Sequence, residues 1–392
     1  MSHFRQSRAY RVLLWLILSL GLLLVLRQSL VVFVSPKFLA NDDFVQYWAA
    51  GRLNFQGNNP YDPELLRPLQ HEAGRTEYIP GVATIVWNPP WTMPLLMFFG
   101  ALPYPVARAL WFMGSFALLA GCGMWIWSWY AGAPRLRWVP LVLSFTFMPA
   151  LLMLRVGQIG AFMFAGVLGF LSSVTKRQWL QLGAWVILLS VKPQLVFLLP
   201  VVLLLWLVER RQLKPILGGA LILLGALGVA SIFNPQVTQQ YLHAFSTQPP
   251  VAWATPTLGS VLRWFLGHEK FWLSLIPALA GLAWVSLYWW RRRNTWDWIT
   301  ETPLLIFVSL LTTPYVWTYD LLLLLLPISV VVVHHLRSAL TRESKWLFIA
   351  LGVLNALMLI VQLQGLEDFW FVWVAPVLFV WYLWGRSQAT IT

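Results

Sequence analysis

Acidic side chains are concentrated in one short part of the sequence, and one of them is well placed to act as a base. Six of the fourteen acidic residues fall between positions 42 and 77. A helix that begins directly after Asp43 places Asp43 and Tyr47 on the same face. Because the neighbouring Asp42 suffices as a helix cap, a second carboxylate at this point is a candidate general base. Asp43 is therefore our candidate catalytic residue, and helix capping is the structural alternative.

Lys192 stands between two strongly apolar segments of the chain. It directly precedes Pro193 and separates the sequences AWVILLSV and PQLVFLLPVVLLLW. If these segments are membrane helices, an ionisable side chain between them is costly in free energy and indicates a functional site. A cation at that depth suits a phosphate group held at the membrane surface. The structural alternative is a long side chain that extends to the interface.

Two further polar breaks in the apolar pattern supply candidate partners for these residues. Arg155 and Gln158 lie in the short sequence RVGQ, and Tyr319 and Asp320 end the sequence TPYVWTYD. The structural alternative for the first break is an ordinary turn between helices. For the second it is an aromatic belt beside a solvated acid. Both breaks are predicted to face the same side of the membrane as Asp43.

The elements that position these residues must be membrane helices, because the chain is too apolar for a water-soluble globule. Of its 392 residues, 59% are hydrophobic and 10% are charged, whereas a soluble domain has about 45–50% and about 25%. Disordered, collagen-like and disulfide-framework classes are excluded by the same figures. The single cysteine excludes an internal disulfide. We expect one polytopic membrane domain over residues 1–392.

The positions of the basic clusters predict the topology of this domain, because short cytoplasmic loops are rich in Lys and Arg. Placing the clusters in the cytoplasm predicts an all-α bundle of about twelve spans in the plasma membrane, with both termini cytoplasmic. The predicted spans are 12–34, 104–130, 138–154, 159–174, 179–191, 194–208, 215–233, 271–290, 302–319, 321–335, 346–364 and 368–385.

The net charge of +13 follows from this topology alone. The predicted cytoplasmic residues include seventeen basic and four acidic side chains, and the rest of the chain has ten of each. A nucleic-acid partner would need a basic face on a soluble module, so we do not expect one.

Two long loops are predicted on the outer side, over residues 35–103 and 234–270. Within the first, segment 83–102 is apolar but contains three prolines, which break a helix interior. We therefore predict one or two short surface helices there instead of a further span. Asp62, followed by Pro63, is predicted to cap another short helix. Candidates for the lining of a groove are Tyr47, Tyr78 and Asn88.

Motifs of several common enzyme classes are absent from the sequence. The six histidines have no zinc-ligand spacing, and there is neither a glycine-rich phosphate loop nor a nucleophile elbow. We expect neither ATP use nor a serine nucleophile, and no cofactor or metal requirement.

The polar blocks together resemble the GT-C glycosyltransferases, and most closely glycosyltransferase family 87, whose members use polyprenyl-phosphate sugars. The resemblance rests on DFVQYWAAG…NPYD at 43–62, YIPG…WNPP at 78–90, RVGQIG at 155–160, SVKPQ at 190–194 and TPYVWTYD at 313–320. Many members have a histidine in the last block, and this chain has none there.

The resemblance implies a GT-C-like bundle that transfers a hexose, expected to be mannose, to an acceptor hydroxyl at the outer membrane face with inversion. The donor is a polyprenyl-phosphate sugar and the acceptor a glycan or glycolipid. Asp43 is implied as the base, and basic residues hold the donor phosphate, for which Lys192 and Arg155 are our candidates. Further candidates for binding the donor are Gln158, Asp42, Tyr319 and Asp320.

Two other classes of protein remain open from the sequence. Twelve spans are common in transporters and lipid-linked-sugar flippases, but those proteins usually place polar sites at the membrane midplane between repeated halves. This chain has its polar residues at one face and no internal repeat. A non-catalytic scaffold is the third possibility.

Overall fold

The structure, a computed structural model, describes residues 43–75, 83–247, 254–337 and 340–389. The described residues form helices and connecting turns without a β-strand, which agrees with the predicted all-α class. The first predicted span, 12–34, lies outside the described residues, as do the candidate residues Asp42 and Tyr78.

Seventeen α-helices occur in the described residues, numbered here in chain order. They are α1 Phe44–Phe55, α2 Pro63–Glu72, α3 Met93–Gly100, α4 Tyr104–Trp129, α5 Trp138–Thr146, α6 Met148–Val156, α7 Gly160–Thr175, α8 Trp179–Leu189, α9 Leu198–Arg210, α10 Lys214–Phe233, α11 Val237–Thr247, α12 Leu258–Leu266, α13 Leu275–Arg292, α14 Trp298–Thr312, α15 Leu325–Arg337, α16 Arg342–Leu363 and α17 Val374–Ala389. Short 3₁₀ helices connect several of them, at Pro90–Thr92, Pro134–Leu136, Pro193–Leu195, Phe271–Ser274, Arg293–Thr295, Thr318–Leu324 and Asp368–Phe371.

Six helical segments among the described residues are long and apolar enough to cross a membrane. They are Tyr104–Trp129, Lys214–Phe233, Phe271–Thr295, Thr318–Arg337, Arg342–Leu363 and Asp368–Ser387. A seventh candidate is the pair Pro134–Thr146 and Met148–Val156, bent by 60° at the break. Pro149 lies in the first turn of α6 and cannot donate the backbone hydrogen bond that would continue α5. The expected count of about twelve spans is therefore not confirmed.

Three predicted spans are helices shorter than the roughly 20 residues that cross a bilayer. Helices α7, α8 and α14 are apolar but only 10–17 residues long. The predicted span 302–319 ends early, since α14 stops at Thr312. The reason is Pro314, because the residue before a proline avoids the helical conformation. The apolar run then continues as the 3₁₀ helix Thr318–Leu324.

Segment 83–102 forms two short helices, as predicted from its prolines. The 3₁₀ helix Pro90–Thr92 is followed directly by the eight-residue α3. The predicted cap at Asp62 is also present, because its side chain accepts a hydrogen bond from the backbone N–H of Glu64.

Two apolar cores occur among the described residues, and the smaller one holds α1. The larger core lies among α4–α9 and α13–α17, and the smaller one packs α1 against α3 and α4. The backbones of α1 and α3 touch at two glycines. A Cβ atom on Gly51 would lie 2.1 Å from the carbonyl oxygen of Leu96, and one on Gly100 would lie 2.2 Å from the backbone nitrogen of Arg52. This close packing fixes the position of α1 and of the residue that precedes it.

Candidate active site

Asp43 lies at the N-terminal end of α1 and is tied to the end of α6. Its backbone N–H donates to the carbonyl oxygen of Val156 at 2.7 Å. Its carboxylate does not cap the helix. Instead, Oδ1 lies 3.4 Å from Nη1 of Arg75, and Oδ2 accepts a hydrogen bond from Nε2 of Gln158 at 3.1 Å. The Asp43 side chain is 22% exposed, so a substrate hydroxyl can reach it.

Gln158 is the centre of the hydrogen-bond network around Asp43. Its Oε1 accepts from the Tyr47 hydroxyl at 2.5 Å and from Nζ of Lys192 at 3.1 Å. Its Nε2 faces the Asp43 carboxylate. The reversed amide would direct its NH₂ group at the ammonium of Lys192 and its oxygen at a carboxylate. The three partners therefore fix the orientation of the amide.

The turn at Gly157 directs Gln158 into this network. Gly157 adopts φ +72°, the left-handed conformation that commonly ends a helix. Side chains of α4 satisfy the backbone carbonyls at this helix end. Trp111 Nε1 donates to the carbonyl oxygen of Gly157, and Arg108 Nη2 donates to the carbonyl oxygen of Arg155. Because helix ends leave unpaired carbonyls, these two bonds from α4 hold the turn in place.

Lys192 occupies the break between α8 and the 3₁₀ helix Pro193–Leu195. Its backbone, with φ −133° and ψ 74°, lies outside the helical region, which the residue before a proline avoids. The residues preceding it are held from segment 83–102: Asn88 Nδ2 donates to the carbonyl of Val191, and Trp91 Nε1 donates to the Ser190 hydroxyl. This support places the lysine side chain inside the protein.

The ammonium of Lys192 forms an ion pair with Asp320 at 2.7 Å. The side chains are 12% and 2% exposed respectively. The ammonium also lies 4.9 Å from the centre of the Tyr319 ring, on its face. Lys192 therefore does not extend to the surface, which was the structural alternative. The ion pair and the hydrogen bond to Gln158 use two of the three N–H groups of the ammonium and leave one without a carboxylate or amide partner within the network.

Asp320 is held in the 3₁₀ helix that follows the TPYVWTYD break. Its Oδ2 accepts from the backbone N–H of Trp317 at 3.2 Å, which leaves Oδ1 for Lys192. The first residue of this helix, Thr318, donates its backbone N–H to Oδ2 of Asp368 at 2.9 Å. The carboxylate of Asp368 thus connects the 3₁₀ helix Asp368–Phe371 to the start of the helix that carries Asp320.

Two opposite-charge pairs, Arg75–Asp43 and Lys192–Asp320, are joined through the neutral amide of Gln158. Asp320 is almost fully enclosed and paired, whereas Asp43 is partly open. Burial and the nearby Asp43 carboxylate raise the pKa of the Tyr47 phenol well above its ordinary value. Tyr47 therefore stays protonated and donates to Gln158.

The structure brings together most of the residues predicted from the sequence. Asp43, Tyr47, Gln158, Lys192, Tyr319 and Asp320 form one contiguous cluster. Arg155 is exposed at the end of α6, and its backbone carbonyl accepts from Arg108. Asn88 is buried beneath Val191, so it supports Lys192 and does not line an open groove.

Three charged residues of this region were missed in the sequence. Arg75 pairs with Asp43, Arg108 holds the end of α6, and Asp368 holds the start of the Asp320 helix. Only Arg108 had a usable signal, because an ionisable residue within the apolar span 104–130 indicates a specific internal partner. No group of three or more His, Cys, Asp or Glu side chains placed to hold a metal ion occurs in the described ranges.

The fold and this cluster define a polytopic membrane protein with a buried polar site assembled where its helices break. A sequence model of glycosyltransferase family 87 matches residues 87–314, more than half of the chain. The chain therefore belongs to glycosyltransferase family 87 and is a membrane glycosyltransferase, in agreement with the resemblance seen in its motifs. The matched residues include Gln158 and Lys192, whereas Asp43 and Asp320 lie outside them. Comparisons with curated proteins and with solved structures gave no match.

Proposed function

We propose that this protein transfers a hexose, most simply mannose, from a polyprenyl-phosphate donor to a hydroxyl of a glycan or glycolipid acceptor. The reaction takes place at the outer face of the plasma membrane, with both chain termini in the cytoplasm. Family membership supports the glycosyl transfer. The convergence of Asp43, Gln158, Lys192 and Asp320 on one site is the observation that carries the assignment of the site.

In the proposed reaction Asp43 is the general base. Its partly exposed carboxylate accepts the proton of the acceptor hydroxyl as the acceptor oxygen attacks the anomeric carbon. The bond between that carbon and the phosphate oxygen breaks, and polyprenyl phosphate leaves with the electron pair. The attack inverts the anomeric carbon, as in inverting glycosidases, with the acceptor alcohol in the place of water. No second acid is required because the phosphate leaves as an anion.

Lys192 is the proposed partner of the donor phosphate. Two of its three N–H groups point at Asp320 and Gln158, and the third is available for a phosphate oxygen. A cation that is already fixed stabilises the charge that develops on the leaving group without reorganisation. Arg155, exposed at the end of α6, is the second candidate for the phosphate. Asp42, Tyr319 and Asp320 are proposed to orient the donor.

The test replaces Asp43 and compares it with a matched acid of the same loop. Asp43→Asn keeps the size of the side chain and removes the base, so we expect transfer to fall by about 10²- to 10⁴-fold. The control is Asp62→Asn, because asparagine caps a helix as well as aspartate does. Transfer is measured with purified protein and radiolabelled polyprenyl-phosphate mannose, glucose and galactose, together with the unfolding temperature of each variant.

The two variants separate catalysis from folding. We expect both proteins to unfold at the wild-type temperature and only Asp43→Asn to lose transfer. Wild-type transfer rates in a folded Asp43→Asn protein would remove the proposed base. No transfer from any of the three donors by the wild-type protein would remove the proposed donor class.

A further inference from the structure

A cavity lies between α5, α15 and α16, away from the polar cluster around Asp43. Its volume is about 680 Å³, within the range of about 300–1,000 Å³ typical of small-molecule sites. Most of the residues that line it are apolar. Helix α15 contributes one face, at Leu325, Ile328, Val332 and Leu336, and α16 contributes Phe348, Leu351 and Gly352. We call this cavity the α5–α15–α16 groove.

The groove runs along α5 and has polar groups at its two ends. Arg135, just before α5, lines one end, and Thr146 and Asn355 line the other. Asn355 is already engaged there, because it accepts from the backbone N–H of Met148 and donates to the carbonyl of Thr146. The exposed guanidinium of Arg135 is therefore the charged group that the groove offers to a ligand.

The Arg135 end of the groove is far from the catalytic cluster. At 1.5 Å per residue, the helical segment from Arg135 to Thr146 is about 18 Å long. Helix α6 then continues to Val156, the residue bonded to Asp43. An anion bound at Arg135 is thus a different anion from the donor phosphate proposed at Lys192.

The Arg135 end is also strongly basic. Arg337, at the end of α15, donates to the carbonyl of Tyr130, which brings the α15 end against the turn before α5. The charged residues of these two ends and of the first turn of α16 are Arg135, Arg137, Arg337, Arg342, Glu343 and Lys345. Five of the six are basic. Basic pockets between membrane helices are suited to anionic lipid headgroups.

We propose that the α5–α15–α16 groove binds an anionic phospholipid, with the phosphate at Arg135 and an acyl chain along the apolar walls towards Asn355. Charge complementarity at the basic end selects the headgroup, and burial of apolar surface holds the chain. The site is independent of the sugar donor and acceptor. It makes the stability of the enzyme dependent on the lipid composition of its membrane.

Gly352 offers a way to fill the groove without disturbing the fold. It lines the cavity, and a Cβ atom added to it would have no other atom within 4 Å. Gly352→Phe therefore occupies the space of the acyl chain. Gly225→Phe is the matched control, because Gly225 of α10 is equally open and lies outside the groove. For the headgroup, Arg135→Gln is paired with its neighbour Arg137→Gln, which does not line the cavity.

The experiment measures the unfolding temperature of the full-length protein in nanodiscs of phosphatidylcholine with and without phosphatidylglycerol. A ligand that binds only the native state raises this temperature. We expect phosphatidylglycerol to raise it by a few degrees in the wild type, Arg137→Gln and Gly225→Phe. The rise should be lost in Arg135→Gln and Gly352→Phe. Native mass spectrometry should show one phosphatidylglycerol fewer on these two variants.

Other occupants of the groove give different results. If the apolar segment 12–34 of this chain filled the groove, phosphatidylglycerol would not raise the unfolding temperature of the wild type. If a polyprenyl chain filled it, polyprenyl phosphate and not phosphatidylglycerol would raise the unfolding temperature. Either result overturns the proposal, and so does an equal phosphatidylglycerol effect in all four variants. Sugar transfer by each variant is measured separately. A failure of the lipid proposal can therefore be distinguished from a failure of the proposed Asp43 mechanism.

Discussion

At the scale of single residues, the proposed site depends on a neutral side chain between charged ones. Gln158 receives two donors on its oxygen and gives one N–H to Asp43. A carboxylate at this position would repel Asp43 and compete with Asp320 for Lys192, and an ammonium would repel Lys192. The amide links the two ion pairs without adding charge. It therefore sets the distance between the proposed base and the proposed phosphate ligand.

The buried pair of Lys192 and Asp320 leads to a prediction about stability. Lys192→Met leaves the nearly enclosed carboxylate of Asp320 without its cation, which costs about 3–5 kcal/mol in unfolding free energy. The double variant Lys192→Met with Asp320→Leu removes both charges and should recover much of this loss. Neither variant should transfer sugar. Unfolding temperature and transfer rate are measured for both.

Lys270→Met is the control for the loss of a lysine. Lys270 is exposed, so its replacement should change stability by less than about 0.5 kcal/mol. A single variant Lys192→Met that is as stable as Lys270→Met would contradict the buried ion pair. Transfer at the wild-type rate by the double variant would contradict the role of Lys192 at the donor phosphate.

At the scale of secondary-structure elements, the proposed site is formed where helices stop. Asp43 precedes α1, Gln158 follows the end of α6, and Lys192 follows the end of α8. Gly157 and Pro193 mark the breaks at Gln158 and Lys192, and the backbone groups there are satisfied by side chains from α4 and from segment 83–102. Packing of the apolar helices fixes the positions of the helix ends, and these positions determine where the polar side chains of the site lie.

The turn at Gly157 gives a prediction at this scale. Gly157→Ala forces an L-residue into the left-handed conformation at φ +72°, at a cost of about 1–2 kcal/mol. The control is Gly365→Ala, with φ +67° and no atom within 4 Å of an added Cβ. Both variants should unfold at similarly lower temperatures. Only Gly157→Ala should also lose transfer, since it alone displaces Gln158.

Kinetics at saturating donor and acceptor distinguish this effect from general loosening of the fold. If the two glycine variants lost transfer equally, the turn at Gly157 would have no specific part in the site. If Gly157→Ala lost stability but no activity, the position of Gln158 would not matter for transfer.

At the scale of the whole molecule, the basic clusters and the proposed site should lie on opposite sides of the membrane. Positive residues collect in cytoplasmic loops. The cluster Arg291–Arg293 lies at the C-terminal end of the long apolar helix α13, whereas Arg75 and Asp43 pair near α2. The donor site proposed here requires the α2 side to be the outer one.

Cysteine labelling tests this arrangement. The native thiol, Cys122, is buried and is replaced in a Cys122→Ser background. In that background Glu72→Cys and Asn294→Cys each place one thiol at an exposed position. A membrane-impermeant maleimide should label Glu72→Cys in intact cells and Asn294→Cys only after permeabilisation. The opposite pattern would place the Asp43 site in the cytoplasm and contradict the proposed outer location.

The sequence by itself determined the class of the protein and most of its chemically important residues. Apolar composition excluded a soluble fold, and the prolines of segment 83–102 predicted short helices in place of a span. Asp43 is identified from the acidic cluster that follows the first predicted span, and Gln158, Lys192 and Asp320 are identified because each interrupts an apolar pattern. These signals are local, since composition, a helix break and a costly charge are all properties of a short stretch of chain.

Only the tertiary structure decided which of these residues meet. Lys192 and Asp320 are 128 positions apart, and Asp43 and Gln158 are 115 apart. Their pairing depends on which helix ends pack together, and no local pattern encodes that. The same applies to Arg75, whose partner is across the first loop. The sequence supplied the polar groups, and close packing of the helices brought them within hydrogen-bonding distance.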